Sequence, residues 1–219
     1  AGGIMVTASH NPSEYNGFKM TRNNGLSVGK NIGMDFISSA CQRGEWSEVL
    51  QLGEKLERAI LPDYKKKLFS IVPFETIKNF RVVVDCGNGM GGAVLSKVLA
   101  GLPLEIEYLF FEPDGTFPNH EANPIKVETL RALQTKVKEI RADFGFAMDG
   151  DADRIGLVDE NGEVVDASFV GALIGGEVLR AHKKGRMLYD LRSSKIVPEY
   201  WQKLGGIIEM SKVGQANIR

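Results

Sequence analysis

The feature that most constrains the fold is a regular alternation of strand-like and helix-like segments that begins near residue 80. Apolar, strand-like runs cover residues 80–85, 104–111 and 144–148, and helix-like segments at 91–100 and 126–140 separate them. Strands that alternate with helices predict a βαβαβ unit, in which the strands are parallel and the crossovers right-handed. We therefore predict an α/β protein.

Shorter segments continue the pattern on both sides of this unit. Upstream, the sequence predicts two strands and two helices, the second helix being interrupted at Pro62: residues 3–8, 18–21, 32–41 and 53–69. Downstream, it predicts a hairpin of residues 155–159 and 163–165 that turns through Asn161 and Gly162. A helix, a strand, a helix and a strand are predicted to follow: residues 169–181, 186–190, 195–204 and 207–210.

We interpret this order as mixed-sheet domains with flanking helices, one complete βαβαβ domain between two partial ones. The predicted domains are residues 1–65, 66–166 and 167–219, and the first break falls near Pro62 and the basic run 65–67. Because the first residue is not Met and the chain opens directly on an apolar run, we expect a portion of a longer polypeptide.

The composition excludes several classes of function. The 219 residues carry a net charge of −1, which provides no basic field for nucleic acid and favours a small-molecule partner. No apolar run approaches the ~20 residues that a membrane span needs. Cys41 and Cys86 lack a metal-type spacing, which is typical of a reduced, cytoplasmic compartment. The oligomeric state is not indicated.

The main candidate site is the acidic stretch that follows the strand 144–148. Asp149, Asp151 and Asp153 alternate on a tight connection between two strand-like runs, and Arg154 follows them. Such carboxylates can converge on one point, where they resist joint ionisation unless a cation is bound. All-oxygen ligands favour Mg²⁺ or Ca²⁺. We favour Mg²⁺ because it leaves positions for phosphate oxygens, which would also suit the arginine.

Two other interpretations of this stretch stay open. Together with Glu160, the aspartates occupy positions 1, 3, 5 and 12 of an EF-hand register. Against that Ca²⁺-binding interpretation, Arg154 stands where the motif needs Gly, and both flanks are strand-like. The second alternative is a solvated acidic turn without an ion.

A glycine-rich run at residues 87–92 satisfies the G-x-G-x-x-G pattern of dinucleotide-binding turns. In dinucleotide-binding proteins an acidic residue near the end of the next strand binds the ribose. Here Glu105 and Glu107 fall inside that strand and not near its end, which speaks against the dinucleotide interpretation. We favour a tight turn that allows close helix packing. A nicotinamide-cofactor titration without binding would remove the dinucleotide interpretation.

A serine at the end of the first strand is the candidate nucleophile. Ser9 lies in the loop 7–12, with the sequence Thr-Ala-Ser-His-Asn-Pro. Open α/β sheets bind ligands at the carboxyl ends of their strands. No acid–His–Ser triad is visible, so a purely structural loop is the alternative.

The two loops together resemble the α-D-phosphohexomutase family, particularly its phosphomannomutase/phosphoglucomutase branch. The motifs that carry the resemblance are residues 7–12, 15–19, 83–89, 113–120 and 149–154. The resemblance extends over essentially the whole chain and implies a phosphohexomutase-type fold. The glucosamine-phosphate branch usually has Gly where Ala152 stands, which favours hexose phosphates.

The resemblance implies an intramolecular phosphotransferase that interconverts hexose 1-phosphate and hexose 6-phosphate of mannose or glucose. In the family, the serine that matches Ser9 carries a phosphoryl group, and this group ligates one Mg²⁺ together with Asp149, Asp151 and Asp153. A phosphoserine adds about −1.5 to −2 charges, which could not rest beside three carboxylates without a divalent cation. A hexose 1,6-bisphosphate is the implied intermediate and activator.

The resemblance also assigns roles to neighbouring residues. Lys19 matches the residue proposed in the family as general acid or base, a role that would require a lowered pKa of its ammonium group. The alternative is that Lys19 is a surface lysine of a strand without a catalytic role. His10 is expected to orient the phosphate or to structure the loop, and Arg154 to oppose charge on the transferring group.

Two residues near the end of the chain match substrate-binding positions of the family. Arg192 keeps the expected basic residue, whereas Gln215 replaces a histidine and cannot carry a charge to a sugar phosphate. Because of this departure, we keep a second hypothesis beside the enzyme: the protein is a non-catalytic relative that binds sugar phosphate or metal. Residues 1–219 by themselves are expected to be poorly active.

Overall fold

The computed structural model describes residues 2–30, 32–46, 48, 51–182 and 185–213. Three sheets are present in this part of the chain: a two-stranded antiparallel sheet, a five-stranded mixed sheet and a two-stranded parallel sheet. Their strands are β1 (Gly3–Val6), β2 (Phe18–Thr21), β3 (Phe80–Asp85), β4 (Leu104–Leu109), β5 (Phe144–Met148), β6 (Ile155–Asp159), β7 (Val164–Val165), β8 (Arg186–Asp190) and β9 (Ile207–Ser211).

Six α-helices accompany these strands in the described residues. They are α1 (Met34–Arg43), α2 (Leu61–Ile71), α3 (Gly91–Leu99), α4 (Arg131–Ile140), α5 (Ala167–Ala181) and α6 (Ile196–Lys203). None of the described helices is long and apolar enough to cross a membrane.

The central sheet confirms the predicted βαβαβ unit. Its strand order is β4-β3-β5-β6-β7, with β3 parallel to β4 and β5, and with β6 and β7 added antiparallel as the predicted hairpin. Since β3 pairs with β4 on one side and with β5 on the other, the loops after β3 and β5 are neighbours at one edge of the sheet. Ligands of open α/β sheets bind at such a position.

The core lies on both faces of the central sheet because alternate residues of β3 point in opposite directions. Val83 packs with Leu133 and Val137 of α4. Val82 and Val84 belong to the cluster on the other face, against which Leu95 of α3 packs. A helix on each face explains why the middle of β3, Val82–Val84, is three consecutive buried valines and does not alternate with polar residues.

Two predicted helices were wrong in extent. Residues 53–60 form no regular structure, and α2 begins at Leu61, because Pro62 fits the first turn of a helix, where its missing N–H costs nothing. The predicted helix at 126–140 opens as the 3₁₀ turn Val127–Leu130 and becomes α-helical only at Arg131. The predicted division into three domains stays a prediction.

Candidate active site

The acidic loop connects β5 to β6 and is shaped by its own backbone. Asp149 is fully buried, and its Oδ1 accepts hydrogen bonds from the backbone N–H groups of Asp153 at 3.0 Å and Arg154 at 3.1 Å. Ala152 turns the loop in a left-handed conformation, with φ of 59°. The turn therefore places all three carboxylates on one side of the connection.

The glycine-rich run after β3 packs directly against this acidic loop. A Cβ at Gly89 would lie 2.8 Å from the carbonyl oxygen of Gly150, and one at Gly91 would collide with Met148. The backbone N–H of Met90 also donates to the Gly150 carbonyl, at 3.0 Å. Close packing therefore explains these glycines, in line with the interpretation that we favoured.

The segment of residues 7–13, which we call the serine loop, follows β1 and contacts the acidic loop. Ser9 has φ of 56°, which is uncommon for a non-glycine residue and points to a functional constraint. Its backbone N–H donates to Oγ1 of Thr7 at 2.9 Å, and that hydroxyl donates to Oδ2 of Asp151 at 2.9 Å. Ser9 Oγ itself donates to Asp149 Oδ2 at 3.1 Å, across 140 residues of sequence.

Gly150 allows the two loops to approach. A Cβ there would lie 2.5 Å from the carbonyl oxygen of Ser9, closer than any real side chain could stand to a backbone oxygen. Sequence analysis did not assign a role to Gly150 or to Thr7, although both lie inside quoted motifs. The only signal in the sequence was their position next to predicted site residues.

The three carboxylates form a cluster that fits a metal ion. Asp149, Asp151 and Asp153 each offer an oxygen within 4.8 Å of the others. Oδ1 of Asp151 is buried and has no hydrogen-bond partner in the described part of the chain. An unpaired buried carboxylate oxygen is costly, and an all-oxygen donor set suits a hard cation. These residues could therefore hold a metal.

Protein cations also touch the cluster. Lys19 Nζ lies 2.7 Å from Asp151 Oδ2 and 2.8 Å from Asp153 Oδ2, and Arg154 Nε lies 3.7 Å from Asp149 Oδ2. Hydrogen bonds to Asp151 and Asp153 raise the pKa of the Lys19 ammonium. That shift is opposite to the one a general base requires, so this geometry favours the protonated, acid form of Lys19.

The pKa values of the Asp149 and Asp151 carboxyls are shifted in opposite directions from the usual value of an aspartate. Burial raises the pKa of the Asp149 carboxyl, and the charges of Asp151 and Asp153 act in the same direction. Burial would also raise the pKa of Asp151, but hydrogen bonds from Lys19 and Thr7 outweigh it and hold the value below the usual range. Of these two carboxyls, Asp149 is thus the one whose charged form burial disfavours more.

The other predicted residues lie at different distances from the cluster. His10 Nδ1 is 3.4 Å from Ser9 Oγ, which places the imidazole beside the candidate nucleophile. Arg192 follows β8 and pairs with Asp190 at 2.5 Å, and within the described residues its hydrogen bonds and ion pair go to Asp190 and not to the cluster. Gln215 lies outside the described residues. The functional roles predicted for all these residues stay predictions.

A cleft of about 590 Å³ opens beside Ser9. It is lined by the serine loop on one side and by Phe117, Gly150 and Asp151 on the other. Its size falls in the range of small-molecule sites. A small ligand could therefore reach the serine and the acidic cluster together.

The structure decides between the interpretations of the acidic stretch. It is flanked by β5 and β6, whereas an EF-hand loop joins two helices, so the Ca²⁺-binding helical module is wrong. A merely solvated turn does not explain a fully buried Asp149 that accepts from a serine of a distant segment.

Comparisons with known proteins show the family of the chain. Residues 62–162 match the family described as phosphoglucomutase/phosphomannomutase, alpha/beta/alpha domain II, and residues 1–47 match its domain I. The fold and the arrangement of the two loops thus define an α/β protein of the phosphohexomutase class. The chain belongs to the phosphoglucomutase/phosphomannomutase family.

Individual relatives match along the whole chain. It is 34% identical to a phosphomannomutase of Vibrio cholerae, covering 100% of this chain and 48% of that protein. It is 35% identical to a phosphomannomutase/phosphoglucomutase of Pseudomonas putida, covering 99% of this chain and 46% of that protein. The chain therefore spans about half the length of the relatives it matches.

A solved structure has the same fold. A phosphoglucomutase/phosphomannomutase family protein from Burkholderia thailandensis superposes with a TM-score of 0.87 at 29% identity, covering 99% of this chain and 46% of that one. The arrangement of elements described above is therefore that of a phosphohexomutase.

Proposed function

We propose that the full-length protein interconverts the 1-phosphate and the 6-phosphate of a hexose, mannose or glucose, through a phosphorylated Ser9. The observation that carries the proposal is the 3.1 Å contact between Ser9 Oγ and Asp149 Oδ2, beside a cluster of three carboxylates. The names of the relatives, phosphomannomutase and phosphoglucomutase, support the same reaction class.

We assign Mg²⁺ to the carboxylate cluster. Asp149, Asp151 and Asp153 would hold it together with an oxygen of phosphorylated Ser9. When bound, Mg²⁺ would supply positive charge that stabilises the serine oxygen as the phosphoryl group departs. It would also offset the negative charge of a phosphoserine next to three carboxylates. Without a cation at the cluster, the phosphorylated serine loop and the acidic loop would repel each other.

The reaction consists of two phosphoryl transfers. The free hydroxyl of a hexose monophosphate attacks the phosphorus of phosphorylated Ser9, the bond from phosphorus to Ser9 Oγ breaks, and the proton of the attacking hydroxyl ends on Ser9 Oγ. The hexose 1,6-bisphosphate then turns over in the cleft. Ser9 Oγ attacks its other phosphoryl group, which regenerates the phosphoserine and leaves the isomeric monophosphate.

Three side chains assist this transfer in our proposal. Lys19, whose ammonium leaves Asp151 and Asp153 when these carboxylates take the metal, acts as a general acid toward the reacting oxygens. His10 orients the phosphoryl group on Ser9 from its position 3.4 Å from the hydroxyl. Arg154 opposes the negative charge that develops on the transferring group.

Recognition of the sugar phosphate is assigned to the third predicted domain. Arg192 is exposed and offers a planar guanidinium for a phosphate, while Gln215 would contribute an uncharged hydrogen bond. The partners are hexose phosphates, without nucleic acid or membrane. A cytoplasmic location, first inferred from the unpaired Cys41 and Cys86, is part of the same proposal.

The test is to incubate full-length protein with glucose 1,6-bisphosphate or mannose 1,6-bisphosphate and locate the phosphoryl group by mass spectrometry. We expect it on Ser9, and Ser9→Ala should abolish mutase activity. Ser70→Ala, which changes an exposed serine of α2 outside the cleft, is the control and should keep activity. Phosphate on another residue, or an active Ser9→Ala protein, would refute the assignment. Sugar-phosphate binding without turnover by the wild-type protein would indicate the non-catalytic alternative.

A further inference from the structure

A second buried polar pair lies behind the cleft, outside the carboxylate cluster. Asp85, the last residue of β3, is fully buried, and its Oδ2 is 3.0 Å from Nε2 of His120. The other carboxylate oxygen accepts from the backbone N–H of Gly87 at 2.9 Å. The histidine side chain is only 14% exposed. The proposed phosphoryl transfer uses neither residue.

Both ring nitrogens of His120 face acceptors. Nε2 faces the Asp85 carboxylate, and Nδ1 lies 2.9 Å from the backbone carbonyl oxygen of Glu121. A neutral imidazole has one donor nitrogen, so it could satisfy only one of these contacts, whereas an imidazolium donates to both. A charged ring also neutralises the buried Asp85, which would otherwise be an unpaired charge in the interior. The hydrogen bond to Asp85 raises the pKa of His120.

The pair fixes a loop that forms one wall of the cleft. We call residues 113–121 the wall loop. Its backbone and side chains are joined to Asn88: Asp114 N donates to the Asn88 carbonyl at 2.9 Å, and Asn119 Nδ2 donates to Asn88 Oδ1 at 2.8 Å. Asn88 in turn sits in the glycine-rich run that packs on Gly150. His120 thereby connects the end of β3 to the wall loop.

The wall loop reaches both loops of the site. Phe117 lines the cleft together with Ser9, and a Cβ at Gly150 would lie 3.7 Å from Cζ of Phe117. Phe117, Thr116 and Glu121 also line a smaller depression with Pro12 and Ser13 of the serine loop. An aromatic ring at this place limits the access of water to the serine.

We propose that His120, held as an imidazolium between the Asp85 carboxylate and the Glu121 carbonyl, is a positioning residue that keeps the wall loop closed against the phosphorylated Ser9. The inference rests on the proposed function, because it concerns the fate of the phosphoryl group on Ser9. A loop that is held in place excludes water and directs the group to a sugar hydroxyl. A released loop admits water, which takes the group as inorganic phosphate.

The charged groups around the ring are few. Asp85 faces it from β3, and the carboxylate of Glu121, the last residue of the wall loop, is paired with Lys126 at 2.5 Å. Loss of the imidazolium proton removes one of the two hydrogen bonds of His120 and leaves Asp85 without its counter-charge. The wall loop should therefore loosen as the pH rises through the folded pKa of His120.

The charge state can be tested without any enzyme activity. Residues 1–219 contain three histidines, and ¹H–¹⁵N spectra of the imidazole rings, in which His120→Gln identifies the His120 signals, give the His120 titration directly. We expect both ring nitrogens to carry protons at neutral pH, and Asp85→Asn to lower the titration midpoint. A His120 that is neutral at pH 7 in the wild-type protein would overturn the inference even if the mutase activity is as proposed.

The positioning role is tested by the stability of the phosphoserine. Full-length protein phosphorylated on Ser9 is freed from bisphosphate, and release of inorganic phosphate is followed between pH 6 and pH 9. We expect His120→Gln to release phosphate about tenfold faster than wild type at pH 7 and to lose the pH dependence of the wild-type rate. His120→Arg, which keeps a positive charge and several donors, should restore most of the difference.

The exposed His182 provides the control, since His182→Gln should match the wild-type rate at every pH. Equal phosphate release by wild type and by a folded His120→Gln protein would refute the positioning role. Absence of phosphate from Ser9 in the wild type would instead refute the proposed function, while leaving the His120 titration to be judged separately.

Discussion

The two loops that meet at the site are held in place by different means. The acidic loop leaves the end of a central strand, and Asp149 is fixed by backbone N–H groups of its own loop. The serine loop follows β1, a strand of four exposed residues, and it reaches the cluster through the side chains of Thr7 and Ser9.

This difference indicates which loop determines the geometry. The acidic loop takes its shape from the mixed sheet and would keep it without the serine loop. The serine, in contrast, receives its position from contacts with Asp149, Asp151 and Gly150. Changes at the contact should therefore affect turnover more than they affect the free energy of unfolding.

Filling the space between the loops should have the largest effect. A Cβ at Gly150 would collide with the Ser9 carbonyl oxygen, so Gly150→Ala must separate the loops. Since a displacement of about 1 Å can cost 10²-fold in rate, we expect kcat to fall about 100-fold. Gly171→Ala is the matched control, because a Cβ there meets nothing within 4 Å, and it should leave kcat unchanged. An unimpaired Gly150→Ala protein would contradict the role of close approach.

Metal binding should distinguish the buried carboxylate from a neighbouring acid outside the cluster. At a Mg²⁺ concentration about 100 times its Kd, the wild-type protein should gain about 2.7 kcal/mol in the free energy of unfolding. Asp149→Asn should remove that gain, whereas Glu160→Gln should retain it. Urea unfolding with and without Mg²⁺ measures both. A loss of the gain in Glu160→Gln would mean that the acidic loop binds its ion in another way.

Removing the link from Thr7 should loosen only the serine loop. Thr7→Val deletes the hydroxyl that accepts from Ser9 N–H and donates to Asp151. Leaving a partly buried polar group unpaired costs about 1–3 kcal/mol, so kcat should fall by about tenfold or more while Mg²⁺ affinity changes little. Thr21→Val, at the half-buried end of β2, serves as the control, because its hydroxyl contacts Gly3 and not the cluster. If both substitutions lowered kcat equally, the Thr7 hydroxyl would not be what holds the serine loop at Asp151.

The smallest effect is expected for the competition between Lys19 and the metal. Lys19 occupies Asp151 and Asp153 in this structure, and we assign its two contacts together about 0.2–1 kcal/mol, the range of one surface ion pair, because a single half-exposed ammonium is shared between both carboxylates. Lys19→Met should therefore bind Mg²⁺ up to about fivefold more tightly by titration calorimetry and yet turn over more slowly. Lys30→Met, which changes another lysine of the same segment, should do neither. Weaker Mg²⁺ binding by Lys19→Met would show that Lys19 does not compete for the site.

Much of the central unit could be predicted from the sequence because its signals are local. The apolar run of β3, the Asn161-Gly162 turn of the β6–β7 hairpin and the alternation of strands with helices each depend on neighbouring residues. The helix start at Leu61 was missed because a proline inside a helical pattern fits either an interruption or a first turn.

The sequence by itself determined the parts of the site: a serine at the end of one strand, three alternating carboxylates at the end of another, and motifs that resemble one enzyme family. Only the tertiary structure decided that these parts meet, since 140 residues separate Ser9 from Asp149 and no local pattern encodes such a contact. It also revealed the buried Asp85–His120 pair and the need for glycine at position 150. The physical reason is that burial, pairing of charges and close approach of two backbones depend on segments that are distant along the chain.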